Sequence, residues 1–215
     1  MNSIKLYNPG PINVSDDTYQ AMSKAMIGHR GSDFVNLYSD IHPKLQKLFG
    51  TTSPVYLSTS SAWGVMEASV RNLSSKKVLN CCNGAFSDKW LDVSKRCGLE
   101  AESLSSEWGS PIDPNELDEK LSTGHFDLVT LVHNETSTGV MNPLKEISQV
   151  VAKYDDISLV VDTVSSFSVV PINTDELGID VVLTGSQKAL ALPPGLALFT
   201  VSEKALKKAE STPNR

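Results

Sequence analysis

Leu159-Val-Val-Asp-Thr-Val-Ser-Ser166 is followed closely by Gly178-Ile-Asp-Val-Val-Leu-Thr-Gly-Ser-Gln-Lys-Ala-Leu190. Each segment is a short apolar run, rich in β-branched residues, that finishes in small and polar ones. Runs of this kind, bounded by turn residues, read as strands buried on both faces of a parallel sheet. In an open α/β sheet, ligands sit beyond the carboxyl ends of the strands. The first run delivers Asp162 to that edge, and the second delivers Lys188.

A carboxylate and an amine placed there have one well-known joint use. The lysine forms a Schiff base with pyridoxal phosphate, and the aspartate pairs with the pyridinium nitrogen. The ring must stay protonated to draw electrons from a carbanion, which calls for a buried carboxylate beside its nitrogen. The lysine must lose its proton to attack an aldehyde, and burial or a nearby positive charge lowers its pKa. Taken singly, Asp162 also reads as a strand-end cap and Lys188 as a solvated surface lysine. The pair, each member ending an apolar run, points to the cofactor.

Around this pair, strands alternate with helices. Strands are expected at 55–57, 77–82, 127–133 and 195–201, with a weaker one near 100–104. Helices are expected at 16–27, at 33–49 despite Pro43, at 63–73, 87–97, 111–121, 144–154 and 203–210. Alternation with right-handed crossovers predicts an α/β fold, a mostly parallel sheet with helices on both faces. Residues 1–15, with Asn8-Pro9-Gly10-Pro11, read as an arm, and residues 16–215 as one large domain. Polar turns at 58–62, 83–86, 134–138, 162–166 and 185–188 each follow a strand, so they can converge on one cleft. The stretch Ser58-Thr59-Ser60-Ser61-Ala62 lies between a strand and a helix. Free N–H groups at that helix start can bind an anion, with the Ser60 and Ser61 hydroxyls adding hydrogen bonds. Plain N-capping accounts for the same serines.

Composition narrows the alternatives. The chain has 215 residues, 40% apolar and 20% charged, as in an ordinary globular protein. Its net charge of −6, with no basic cluster beyond Lys207-Lys208, argues against a nucleic-acid or anionic-membrane partner. No apolar run approaches the ~18 residues of a membrane span, and the first residues hold no signal-peptide core. Cys81, Cys82 and Cys97 match neither Cys-x-x-Cys nor a zinc pattern, which points to a reducing cytoplasm. The histidines at 29, 42, 125 and 133 make no metal-ligand spacing.

Six blocks carry a resemblance: Asn8-Pro9-Gly10-Pro11, Gly28-His29-Arg30, Ser61-Ala62-Trp63 through Glu67-Ala68, Asn134-Glu135-Thr136-Ser137-Thr138-Gly139, Val161-Asp162-Thr163-Val164-Ser165-Ser166 and Gly185-Ser186-Gln187-Lys188-Ala189-Leu190. With them the sequence resembles a class V aminotransferase of the fold-type I pyridoxal-phosphate family. It is most like the alanine–glyoxylate, serine–pyruvate and 2-aminoethylphosphonate aminotransferases. The last two blocks are the most specific.

The resemblance implies a homodimeric enzyme that moves an amino group from a small amino acid or aminophosphonate to a 2-oxo acid such as pyruvate or glyoxylate. It implies Lys188 as the cofactor lysine and proton shuttle, Asp162 at the pyridine nitrogen, Thr136 at the ring hydroxyl and Val164 on one ring face. Ser61, Ala62 and Gln187 would bind phosphate, with Trp63 beside them in the same block. Phe86 sits where the family places an aromatic that stacks on the other face, although core filling accounts for it too.

The family often has a second glycine where this chain has Ser60-Ser61-Ala62. Family members are also considerably longer, so the chain corresponds to their N-terminal cofactor-binding part. The expected C-terminal small domain would supply the arginine that grips the substrate carboxylate. Two alternatives follow from this reading. One is a lyase of the same fold, such as a cysteine desulfurase, although Gln187 replaces the histidine that usually precedes the lysine there. The other is a truncated, catalytically incomplete cofactor-binding fragment.

Overall fold

Residues 4–213 are described by a computed structural model, in which the two quoted runs are adjacent parallel strands. The first part of the chain holds α1 (Asp16–Met22), α2 (Ser32–Phe49), β1 (Val55–Ser58), α3 (Ala62–Leu73), β2 (Lys77–Cys82), α4 (Ala85–Arg96), β3 (Glu100–Ser105) and α5 (Pro114–Leu121). Then come β4 (Leu128–Val132), the short β5 (Asn134–Glu135) and β6 (Val140–Met141), and α6 (Leu144–Val151). The chain continues through β7 (Ser158–Asp162), α7 (Thr174–Leu177), β8 (Val181–Gly185), β9 (Ala197–Val201) and α8 (Glu203–Ser211). Residues 1–3 of the expected arm and residues 214–215 of the expected domain lie outside the described residues.

The main sheet has seven strands in the order β1-β9-β8-β7-β4-β2-β3. β9 runs antiparallel to its neighbours β1 and β8, and the other pairings are parallel. β4, β7 and β8 are buried at every position, the pattern of central parallel strands. Their side chains alternate between two cores. Val129, Leu131, Val161 and Val182 pack with Phe49, Leu117 and Ile147 beneath α2, α5 and α6. Leu128, Val132, Val160 and Leu183 pack with Val65, Val70, Trp90 and Ala205 beneath α3, α4 and α8. Helices therefore cover both faces, as expected. The same alternation puts Asp162 on the face of Val160, under α3 and α4.

Three local features differ from the sequence-based expectation. α1 ends at Met22 rather than near residue 27, because none of its residues is buried and an unpacked helix of one or two turns has little to extend it. α2, by contrast, runs through Pro43 to Phe49 as expected, and the Phe49 ring lies 4.5 Å from that of Phe167. Gly50 then stops it at φ 59°, where a Cβ would meet the Ile172 carbonyl at 2.6 Å. The polar turn after β4 contains the β5–β6 hairpin, whose two-residue strands are too short to leave a periodic signal. The antiparallel β9 has the largest consequence. A strand that returns antiparallel needs no crossover helix, so β8 is joined to β9 by loop 186–196 at the carboxyl edge, and Lys188 sits in that loop.

The opposite edge is tied by Asp127. Its buried carboxylate accepts from Ser74 Oγ at 2.9 Å, Ser75 N at 2.8 Å, Ser75 Oγ at 3.1 Å and Lys76 N at 3.2 Å. These contacts join the α3–β2 turn to the start of β4. Asp127→Ala strands several buried donors and is expected to cost about 2–3 kcal/mol. For a domain of this size that lowers the melting temperature by roughly 4–12 °C. A thermal scan showing a drop under about 2 °C would mean that water replaces the carboxylate there.

Candidate active site

Five strand ends at one edge build the site. β7 ends in Asp162, β8 leads to Lys188, β1 leads through the serines to α3, β2 leads to α4 with Phe86, and β4 leads to the hairpin turn with Thr136. A cavity of about 480 Å³ lies between them. Ser61, Ala62, Trp63, Phe86, Thr136, Asp162, Val164, Gln187 and Lys188 all line it. The structure thus brings together all nine residues singled out in the sequence. Pro9 and Gly10 of the arm, Met66, Val132, Asn134, Ser137 and Ser165 complete the wall.

Asp162 is 4% exposed. Its Oδ1 accepts from the Val164 amide at 2.9 Å, and its Oδ2 accepts from Trp90 Nε1 at 3.4 Å. No Lys, Arg or His forms an ion pair with it among the described residues. Burial pushes its pKa up to about 6, against the opposing pull of the Val164 and Trp90 hydrogen bonds and the Lys188 charge.

Lys188 is half-buried. Its Nζ donates to Ser165 Oγ at 2.6 Å and to Thr136 Oγ1 at 3.2 Å, and lies 5.6 Å from the centre of the Phe86 ring. Ser165 and Thr136 also hydrogen-bond each other. Burial lowers the Lys188 pKa, and the Asp162 and Glu135 carboxylates oppose that. The amine is held by two hydroxyls in a position where losing its proton is eased. Gly10 allows this approach, since a Cβ there would meet Lys188 Cγ at 2.8 Å. The arm is tied to the same loop by Ile12 N donating to Gln187 O at 3.3 Å.

The serine turn divides its hydroxyls. Ser60 Oγ shares a hydrogen bond with Ser58 Oγ and donates to the Ser61 carbonyl, both at 2.9 Å, so it serves the turn itself. Ser61 is the N-cap of α3 and makes no side-chain cap bond. The start of this helix therefore presents amides and the Ser61 hydroxyl toward the cavity, an arrangement suited to an anion.

Three neighbours of the site escaped the sequence reading. Ser165 stood in the quoted block with no role, although it is the nearer hydroxyl to Lys188. Trp90 lies four residues after Phe86 on α4, a same-face spacing that could have placed it beside the site. Glu135 stands in a polar turn and in one of the matching blocks, and nothing in the sequence attaches a role to it. His133 is a buried structural group, its Nδ1 2.9 Å from Ser166 Oγ, and burial lowers its pKa.

The donor set fits pyridoxal phosphate. A buried carboxylate with no ion-pair partner, an amine held among hydroxyls, an aromatic ring above that amine and an uncapped helix start match a flat cationic ring with a phosphate tail. Among the described residues no group of three or more His, Cys, Asp or Glu side chains is placed to hold a metal.

This fold and edge-of-sheet site define an α/β protein of the fold-type I transferase class. The chain belongs to the class-V aminotransferases, whose family profile matches residues 14–213. It is similar to an uncharacterized aminotransferase of Methanocaldococcus jannaschii, 44% identical over 92% of this chain and 52% of that one. It is 36% identical to the serine–glyoxylate aminotransferase of Methylorubrum extorquens, over 98% of this chain and 54% of the relative. Among solved structures, an alanine–glyoxylate aminotransferase of Nostoc superposes with a TM-score of 0.91 at 30% identity, covering 100% of this chain and 59% of that one. The chain spans about half the length of the curated relatives it matches.

The raised Asp162 pKa makes a signed prediction for the cofactor-free protein. A folded-state value of about 6 lies above that of an unfolded aspartate, so the folded state binds the proton more tightly. Stability therefore falls as pH rises from about 4 through 6. Ionising this one group is expected to cost about 1–3 kcal/mol. Thermal unfolding across that range should show the loss in the parent protein and a flatter profile in Asp162→Asn. Parallel profiles would place the titrating group elsewhere.

Proposed function

We propose that this chain is the cofactor-holding part of a pyridoxal-phosphate-dependent aminotransferase. Described residues 16–213 belong to its large domain, and Pro9 and Gly10 of the preceding arm reach the site. The carrying observation is that Asp162 and Lys188, delivered by adjacent parallel strands, enter one cavity. When bound, pyridoxal phosphate supplies an electron-withdrawing ring that stabilises negative charge on a substrate carbon.

The protein's residues supply the rest. Lys188 would hold the group through Nζ, and its amine moves the proton at the substrate carbon. Asp162 would hold the ring nitrogen and keep it protonated, gaining the positive partner it otherwise lacks. Thr136 would bind the ring hydroxyl. Val164 and Phe86 would cover the two ring faces and exclude water. Ser61, Ala62, Trp63 and Gln187 would surround the phosphate end. The substrates are a small amino donor, an amino acid or aminophosphonate, and a 2-oxo acid such as glyoxylate or pyruvate. The similarity to serine–glyoxylate and alanine–glyoxylate aminotransferases supports that choice. So does Gln187, which stands where same-fold cysteine desulfurases usually carry histidine.

The same proposal covers surroundings. A cytoplasmic location is supported by the three free cysteines. A homodimer is supported by the exposed apolar side chains of Tyr19, Met22, Met26, Phe34, Val35 and Leu37 around α1 and α2.

Three experiments test these readings. Incubation with pyridoxal phosphate followed by borohydride should leave one adduct, on Lys188 by peptide mapping, and Lys188→Ala should abolish it. An adduct on another lysine would remove Lys188 from its role. The amino donor is then read from cofactor conversion by alanine, serine and 2-aminoethylphosphonate. Sedimentation should show a dimer that Val35→Glu weakens at least ten-fold, since a buried charge without a partner opposes association. Unchanged sedimentation of that variant would move the interface elsewhere.

A further inference from the structure

Helix α4 carries the aromatic ring that covers Lys188, yet its start has no cap of its own. Its N-cap residue is Gly84, which has no side chain to offer. The first amides of a helix need acceptors, and here they come from a distant turn. Ala85 N donates to Ser137 Oγ at 2.9 Å, Phe86 N to Glu135 Oε1 at 3.4 Å and Ser87 N to Glu135 Oε2 at 2.9 Å. Glu135 Oε1 also accepts from Ser137 N at 3.1 Å and Ser137 Oγ at 2.7 Å. The carboxylate fills the space a capping side chain would take, since a Cβ on Gly84 would lie 2.3 Å from Glu135 Cγ and 2.7 Å from Ser137 Oγ.

Glu135 is 0% exposed and has no ion-pair partner among the described residues. A buried charge is kept only where its surroundings satisfy it. Hydrogen bonds from Ser137 and Ser87 outweigh burial and hold its pKa below the usual range, so it stays ionised. Both of its attachments lead to the site. Phe86, whose own amide is clamped, lies 5.6 Å over Lys188 Nζ. Thr136, the next residue in the chain, touches the same amine at 3.2 Å. Trp90, one turn along α4, reaches Asp162.

We propose that Glu135 is a positioning residue that clamps the start of α4 to the Thr136 turn and so holds Phe86 over Lys188. The functional half of this inference rests on the cofactor reading above. The clamp itself does not.

Every group that meets Glu135 is a donor, so an amide cannot replace the carboxylate. One face of glutamine would set its own N–H groups against those of Ser87 or Ser137. Glu135→Gln should therefore loosen the amides of Phe86 and Ser87 while keeping the volume. Two readouts are needed, hydrogen–deuterium exchange of the peptide spanning residues 84–88 and the affinity for pyridoxal 5′-phosphate followed by quenching of Trp63 and Trp90. The expected result is exchange at least ten-fold faster and affinity at least ten-fold weaker, in protein whose circular dichroism is that of the parent.

Unchanged exchange would overturn the clamp whatever the cofactor does. Faster exchange with unchanged affinity would reduce Glu135 to an ordinary cap and overturn the positioning role. If the parent protein binds no pyridoxal phosphate, the cofactor reading and the positioning role fail together, and exchange still decides the clamp. Should Glu135→Gln not fold, Glu135→Asp takes its place, because a side chain one methylene shorter draws the carboxylate back from the Phe86 and Ser87 amides, and the same two readouts decide in the same way.

Discussion

A carboxylate buried without a counter-charge is the constraint on which the site depends. Asp162 sits at the end of β7, under α3 and α4, with one amide and one indole as hydrogen-bond partners. Leaving such a group ionised in a dry interior is costly. The surrounding fold tolerates the cost because β7 is packed on both faces and holds Asp162 in place. A cationic ring arriving at that point would lower the energy of the whole arrangement. The same packing keeps Lys188 half-buried and biases its amine toward the neutral form. Each group prepares the cavity for a partner of the opposite kind.

Buried strands and polar turns divide the labour in a consistent way. The sheet sets where each turn begins, and the turns supply the polar atoms. Because β9 returns antiparallel, the Lys188 loop closes back across the strand ends instead of leading away into a helix. Because Gly84 leaves α4 without a local cap, the hairpin turn after β4 is drawn against that helix. Four of the five turns are thus linked to one another, through Lys188, Ser165, Thr136 and Glu135, before any ligand is considered.

The fold by itself does not choose the reaction. What separates reaction classes on this scaffold is the local chemistry around the lysine. Here that chemistry consists of Gln187, the two hydroxyls of Thr136 and Ser165, and the Phe86 ring.

The sequence by itself determined the strands of the main sheet, most of the helices that cover it and the two principal residues. The β-branched runs ending in Asp162 and Lys188, and the small polar turns after each strand, are local patterns. Strand periodicity and turn chemistry act over a few residues, so they are legible in one chain. Asp162, Lys188 and Ser61 were legible for that reason, while Ala62, Trp63, Phe86, Thr136, Val164 and Gln187 followed only from the resemblance to a known family. Tertiary structure alone decided which atoms meet. Ser165 and Ser60 look alike in the sequence, yet one faces Lys188 and the other bonds within its own turn. The direction of β9 depends on pairing with β1, a strand far away in the chain. The role of Glu135 depends on the empty side of Gly84, 51 positions earlier. Such contacts arise from the crossing of distant segments, and no short-range pattern encodes them.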